Sequence, residues 1–151
     1  MAQPALVVAA IIVDDVSRPS RVLAARRSTP EALAGRWEFP GGKVEPGEGA
    51  VEALRRELWE ELQVQVIVGD ELVAPDPAGW PISERYVMRA WLAQISAGSP
   101  APTGSHDRIV WLEPSRLLTL DWLDADVAIA QAVRHRLAAD RGNPFPEQNG
   151  T

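Results

Sequence analysis

Gly41 to Val64 reads GGKVEPGEGAVEALRRELWEELQV, and the second half of that stretch carries the clearest structural period in the chain. Val51, Leu54, Leu58 and Leu62 recur at spacings of three and four, the stripe of an amphipathic helix laid on a core, so a helix is expected from Ala50 to Leu62. Ahead of it, Lys43 to Gly49 holds turn residues and no hydrophobic period, and reads as a loop opening into the helix.

Glu57, Glu60 and Glu61 sit on that helix at offsets of three and four, so their side chains converge on one side. At about 100° per residue they fall beside the leucine stripe rather than opposite it, which puts Glu57 and Glu61 at the boundary with the core. Crowded, half-buried carboxylates repel one another and call for a cation. With no cysteine and no histidine pair, these hard oxygen donors favour Mg2+, or Mn2+, over zinc. A glutamate run alone is usually a solvated helix face, paired here with Arg55 and Arg56, so its surroundings must carry the argument.

Those surroundings are Gly42, then Glu48, then Arg56, Glu57, Leu58, Glu60, Glu61 and Val64 at fixed further offsets. The pattern resembles the Nudix box, which that family writes G-x5-E-x7-R-E-U-x-E-E-x-G-U, with U an aliphatic residue. From average residue usage, a chance match at these positions is on the order of one in a million. Trp37 to Glu48, with Arg26 and Arg27 upstream, looks like the MutT-like branch, and the resemblance runs from about Leu6 to Leu137. One position departs: the box's second glycine is Gln63, which would cost about 1 kcal/mol in a left-handed helix cap or adopt another cap.

The resemblance implies a magnesium-dependent hydrolase of nucleoside triphosphates, with water attacking the β-phosphorus to yield a nucleoside monophosphate and pyrophosphate. By position it assigns the metals to the Gly41 carbonyl with Glu57, Glu60 and Glu61. Glu57 or Glu60 would polarise the attacking water, Arg56 would hold the glutamates by ion pairing, and Lys43 would meet the phosphates. A further loop carboxylate of the branch aligns with Ser105, leaving Asp107 or His106 to substitute. A histidine in a loop is more often plain surface, which weighs against His106.

For base recognition, Leu123-Asp124-Ala125-Asp126-Val127 resembles the branch's P-A-D or P-A-N segment, with Asp126 at the reading position; a helix cap is the competing role for Asp126. Phe39 is a candidate aromatic wall or a core residue, Arg27 a candidate contact to base or phosphate, and Trp122 the tryptophan expected to line a pocket. The resemblance leaves two substrate readings: oxidised purine triphosphates such as 8-oxo-dGTP, and CTP or dCTP-type pyrimidine nucleotides. The alternatives are a nucleotide-binding regulatory module that has lost turnover, and a Nudix enzyme for another derivative such as ADP-ribose.

Outward from the box, Ala5 to Val13 and Arg21 to Ala25 read as strands joined by the polar turn Asp14 to Pro19, with Trp37 to Phe39 a short apolar piece. Gln65 to Val68, Glu84 to Gln94 and Ile109 to Leu112 have strand composition, Pro114 to Leu118 suits a helical turn, and Asp126 to Ala138 a closing helix. This mixture predicts an α+β fold, and the resemblance makes it the Nudix α/β/α sandwich, a mixed sheet flanked by helices. The domain is expected over residues 1–139, with a flexible tail over 140–151.

At 151 residues the chain suits one domain that buries roughly 68–70% of its unfolded surface. A net charge of −6 argues against tracking along nucleic acid, but not against a small phosphorylated substrate held through cations. The apolar run Ala5 to Val13 has no preceding positive charge and is far shorter than the ~20 residues that span a bilayer. With no membrane segment and no cysteine, the cytoplasm is the default location.

Overall fold

The computed structural model describes residues 3–142, with side chains up to residue 138. The longest pairing in the sheet joins β1, Ala5–Val13, to β7, Tyr86–Ala97, in parallel over the full length of β1, from Ala5 opposite Tyr86 to Val13 opposite Gln94. β1 is wholly apolar, as suits a strand covered on both faces. The two-residue alternation of a strand sends Ala9, Ile11 and Val13 into one core cluster and Val8, Ala10 and Ile12 into another.

Each cluster is closed by a helix. α1, Ala50–Leu62, lays Ala53, Leu54, Leu58 and Leu62 on the even face of β1, as its apolar stripe requires. α2, Asp124–Gly142, lays Ile129, Ala130, Val133 and Leu137 on the odd face. The result is the expected α/β/α sandwich. Truncating a fully buried side chain such as Leu58 to alanine would cost about 2–5 kcal/mol.

The remaining strands are β2 Val22–Arg27, β3 Trp37–Glu38, β4 Gly41–Lys43, β5 Gln65–Glu71, β6 Trp80–Pro81 and β8 His106–Leu112. The sheet runs β3-β2-β1-β7-β5, with β4 on β1, β6 on β7 and β8 on β2, and mixes parallel with antiparallel pairs. The expected β1–β2 hairpin is reduced to a corner, since the two strands pair only at Val13 and Val22. Asp14 holds that corner by accepting the backbone N–H groups of Ser20 at 2.8 Å and Arg21 at 3.0 Å. The freed edge of β1 is taken by β4, so Gly41 to Lys43 form a short strand, and the expected loop begins after Lys43 rather than at it.

Boundaries moved elsewhere too. β8 begins at His106 rather than Ile109, β7 runs from Tyr86 to Ala97 rather than from Glu84 to Gln94, and the turn at Pro114–Thr119 is 3₁₀. The closing helix starts two residues before Asp126 and continues to Gly142, past the point set for the tail; residues 143–151 of that expected tail lie outside the described residues. No helix among the described residues is long and apolar enough to cross a membrane.

Candidate active site

α1, β3, β4 and the start of β8 bring their polar residues to one end of the sheet. Along β4, Val44 donates to the Leu6 carbonyl at 3.0 Å and Ala10 donates to the Pro40 carbonyl at 2.8 Å. In an antiparallel pair these bonds recur at every second residue, so Gly41 and Lys43 occupy the intervening positions and turn their carbonyls away from β1. The Lys43 carbonyl uses that orientation to accept Arg56 Nη2 at 3.1 Å. Gly42 faces the helix, and a Cβ there would collide with the Glu57 carboxylate. Glycine at this position is what lets the carboxylate lie against the strand backbone.

Arg56 ties loop to helix. Its Nε and Nη2 take the two Glu48 oxygens at 2.8 and 3.0 Å, while Nη1 reaches Glu57 Oε1 at 3.1 Å and Glu60 Oε2 at 3.3 Å. This two-pronged grip uses the planar fork of a guanidinium. The bond from Arg56 holds Glu48 below the usual carboxylate range, and the same contact, with Glu57, raises Arg56 further.

Glu57 and Glu61 are half-buried at the edge of the core and Glu60 points outward, the order expected from the helical phase. Burial raises the Glu57 carboxyl. Burial, then the nearby Glu38 and Glu57 carboxylates, push Glu61 up to about 8. Gathering anionic groups in this way stores repulsion that a bound cation relieves. A divalent ion suits the residues present: the donors are hard oxygens, the Gly41 carbonyl is turned outward, and Glu61 Oε2 is buried with no hydrogen-bond partner.

Two residues that sequence reasoning did not credit complete the cluster. Glu38 Oε2 accepts Arg27 Nη1 at 3.0 Å and lies 2.7 Å from His106 Nε2. His106, expected at the surface, is buried, because a register shift in the β2–β8 ladder sets Arg27 opposite it and turns it inward. Its Nδ1 stands 3.3 Å from Glu61 Oε2. A signal was available in Glu38, an acidic residue between two aromatics in a strand. Asp107 turns the other way, paired with Arg26 at 2.8 Å, and Ser105 meets Ser28 through its backbone carbonyl.

The other candidates divide. Asp126 is buried in the first turn of α2, so it is not the helix cap; its Oδ2 accepts the Phe39 N–H at 2.8 Å, and burial pushes its carboxyl up to about 7. Phe39 and Trp122 are both buried in the core and stacked, with ring centroids 4.5 Å apart. Trp122 donates Nε1–H to the Leu117 carbonyl at 2.7 Å. Lys43 directs its ammonium over the Tyr86 ring, 4.9 Å from the centroid, rather than onto a carboxylate of the cluster.

Known proteins resemble this chain in sequence and in fold. Residues 3–134 match the model of the NUDIX domain. The chain is 40% identical over 119 residues to a Mycobacterium tuberculosis protein named putative 8-oxo-dGTP diphosphatase 2, covering 77% of this chain and 81% of that one. It is 35% identical over 127 residues to the CTP pyrophosphohydrolase of Escherichia coli, covering 83% and 88%. Among solved structures, the solution structure of the E. coli ORF135 protein superposes with a TM-score of 0.71 at 30% identity, covering 95% of each chain. With its box, its sandwich and its carboxylate cluster all accounted for, the chain belongs to the NUDIX domain family.

Proposed function

We propose that this protein is a pyrophosphohydrolase of nucleoside triphosphates that works with Mg2+, or Mn2+, and releases a nucleoside monophosphate and pyrophosphate. The observation that carries the reading is the acidic edge of α1: Arg56 bridges Glu57 and Glu60, Glu61 lies with Glu38 and His106 in a group whose ligand atoms stand within 4.8 Å of one another, and the Gly41 carbonyl turns away from β1. Glu57, Glu60, Glu61 and the Gly41 carbonyl would hold the divalent ions. Bound there, the ions supply neutralisation of the phosphate charge and a more acidic water.

Glu57 is the carboxylate best supported as acceptor of the water's proton. It is half-buried against Gly42, its carboxyl is raised by burial, and the Arg56 bond at 3.1 Å fixes its orientation. Glu60, outward on the same helix, is the second candidate for that role. Arg56 touches no phosphate in this scheme and acts by positioning.

Asp126 would read the base. One of its oxygens is engaged by the Phe39 N–H, leaving the other to meet a ring N–H or an exocyclic amino group. The stacked Phe39 and Trp122 rings would support the base, and Arg27 at the end of β2, paired with Glu38 at 3.0 Å, would meet the base or a phosphate. Lys43 would have to leave Tyr86 to meet a phosphate. The names of the two curated relatives support two candidate substrates, 8-oxo-dGTP and CTP. The test is pyrophosphate release with Mg2+ across 8-oxo-dGTP, dGTP, CTP, dCTP, 5-methyl-dCTP and ADP-ribose, beside Glu57→Gln. Selective release that Glu57→Gln abolishes supports the reading; no release from any nucleotide ends it.

A further inference from the structure

The contact between His106 and Glu61 plays no part in that scheme, and its chemistry is incomplete. His106 Nε2 lies 2.7 Å from Glu38 Oε2, a carboxylate that also receives Arg27, so this nitrogen carries the N–H. Nδ1 then presents a lone pair. Facing it at 3.3 Å is Glu61 Oε2. Both atoms are buried without a hydrogen-bond partner, and the histidine side chain has no exposed surface, 0%. Left without a partner in a protein interior the two atoms are costly; either a shared proton or a cation would join them, and 3.3 Å is long for the proton.

The spacing fits a cation. Two donors each about 2.1 Å from one ion, at angles between those of octahedral and tetrahedral coordination, stand roughly 3.0–3.4 Å apart. A carboxylate on the far nitrogen of the ring is the arrangement that fixes the tautomer of a metal-binding histidine. Glu38, Glu61 and His106 together offer ligand atoms within 4.8 Å of one another, but Glu38 Oε2 is committed to Nε2 and to Arg27, so it supports the imidazole rather than ligating.

We propose that His106 Nδ1 and Glu61 Oε2 jointly ligate a divalent cation, adding one nitrogen donor to the carboxylate cluster. This rests on the reading of Glu61 as a metal ligand given above. A nitrogen donor shifts selectivity from Mg2+ toward Mn2+ and the later divalent ions. It also supplies a ligand where the chain has Ser105 in place of a loop carboxylate.

The chain has two histidines, His106 and His135, and the second is exposed on α2. The surface substitution His135→Asn therefore leaves His106 as the sole imidazole. The experiment is pulsed electron paramagnetic resonance of that full-length protein with Mn2+ alone, prepared with ordinary and with 15N-labelled histidine. The expected result is a nitrogen modulation typical of a directly bound imidazole that changes isotope with the label.

Mn2+ that binds and supports hydrolysis without any histidine-derived modulation overturns the proposal and leaves the proposed function standing. Protein that binds no Mn2+ and hydrolyses no nucleotide overturns both. Calorimetry on His106→Gln adds a second readout. Mn2+ affinity should fall about 10–100-fold, and Mg2+ affinity by less; equal losses, or none, contradict the assignment. The labelled spectrum decides without that buried substitution.

Discussion

Asp126 Oδ2 accepts the backbone N–H of Phe39 at 2.8 Å, bridging a separation of 87 residues between the strand before the Nudix box and the first turn of the closing helix. The bond fixes a buried carboxyl beside the stacked Phe39 and Trp122, and burial pushes that carboxyl from its ordinary 3.8 up to about 7. The folded protein therefore holds this proton more tightly than the unfolded chain does. The resulting stabilisation is fully present below 3.8 and is lost as pH rises through about 7. Asp126→Asn keeps an acceptor for Phe39 and removes the titration. The stability of the wild type relative to this variant, followed by urea midpoints, should fall over that window. A constant difference would show that Asp126 does not titrate there.

The same residue bears on substrate choice. If Asp126 reads the base, Asp126→Asn should change the ratio of kcat/KM values between purine and pyrimidine triphosphates by about 10-fold or more, the worth of one well-placed hydrogen bond. The check is the nucleotide panel repeated on the variant. Equal losses on every substrate would give Asp126 a structural role only.

Arg56→Lys keeps the positive charge but loses the fork that spans Glu48 and reaches Glu57. A fall in kcat of about 10–100-fold is expected, with KM little changed, because the loss is one of glutamate positioning. Steady-state kinetics separates this outcome from direct phosphate binding by Arg56, which would raise KM.

Gly42→Ala places a methyl group against the Glu57 carboxylate. Since a displacement of about 1 Å can cost on the order of 100-fold in rate, activity should fall far more than stability does. Unchanged kcat in the folded variant would separate Glu57's position from turnover.

Gln63 ends α1 in the left-handed conformation, φ 60° and ψ 39°, with its N–H donated to the Trp59 carbonyl at 3.0 Å. The chain thus keeps the cap geometry of the family's glycine with a residue that resists it. Gln63→Gly should stabilise the protein by about 0.5–1 kcal/mol, after loss of the exposed side-chain bond to Trp59 at 2.8 Å. Thermal unfolding checks the sign.

α1 and its carboxylates were legible in the sequence because helical phase alone places Glu57 and Glu61 at the edge of the leucine stripe. β1 was legible as a strand, since nine apolar residues suit one buried on both faces, but its parallel pairing with β7 was not, because the partner lies about eighty residues away. The short strand Gly41–Lys43 escaped for another reason: two glycines have little strand propensity, and only the vacant edge of β1 recruits them. His106 was misread through its surroundings. A histidine taken to lie in a loop reads as surface, whereas His106 opens β8, and the β2–β8 register shift and the Glu38 carboxylate draw the ring inside. The β1–β4 and β2–β8 pairings, between strands distant in sequence, placed Gly41 and His106, which the local pattern did not.

The reaction itself is tested by pyrophosphate release from the wild type and Glu57→Gln, with Mg2+ and a panel led by 8-oxo-dGTP and CTP. Pyrophosphate and nucleoside monophosphate should appear in equal amounts from a subset of the panel, with kcat reduced about 10²–10⁴-fold in the folded variant. Orthophosphate as the product, or a rate that Glu57→Gln leaves unchanged, would contradict that reaction.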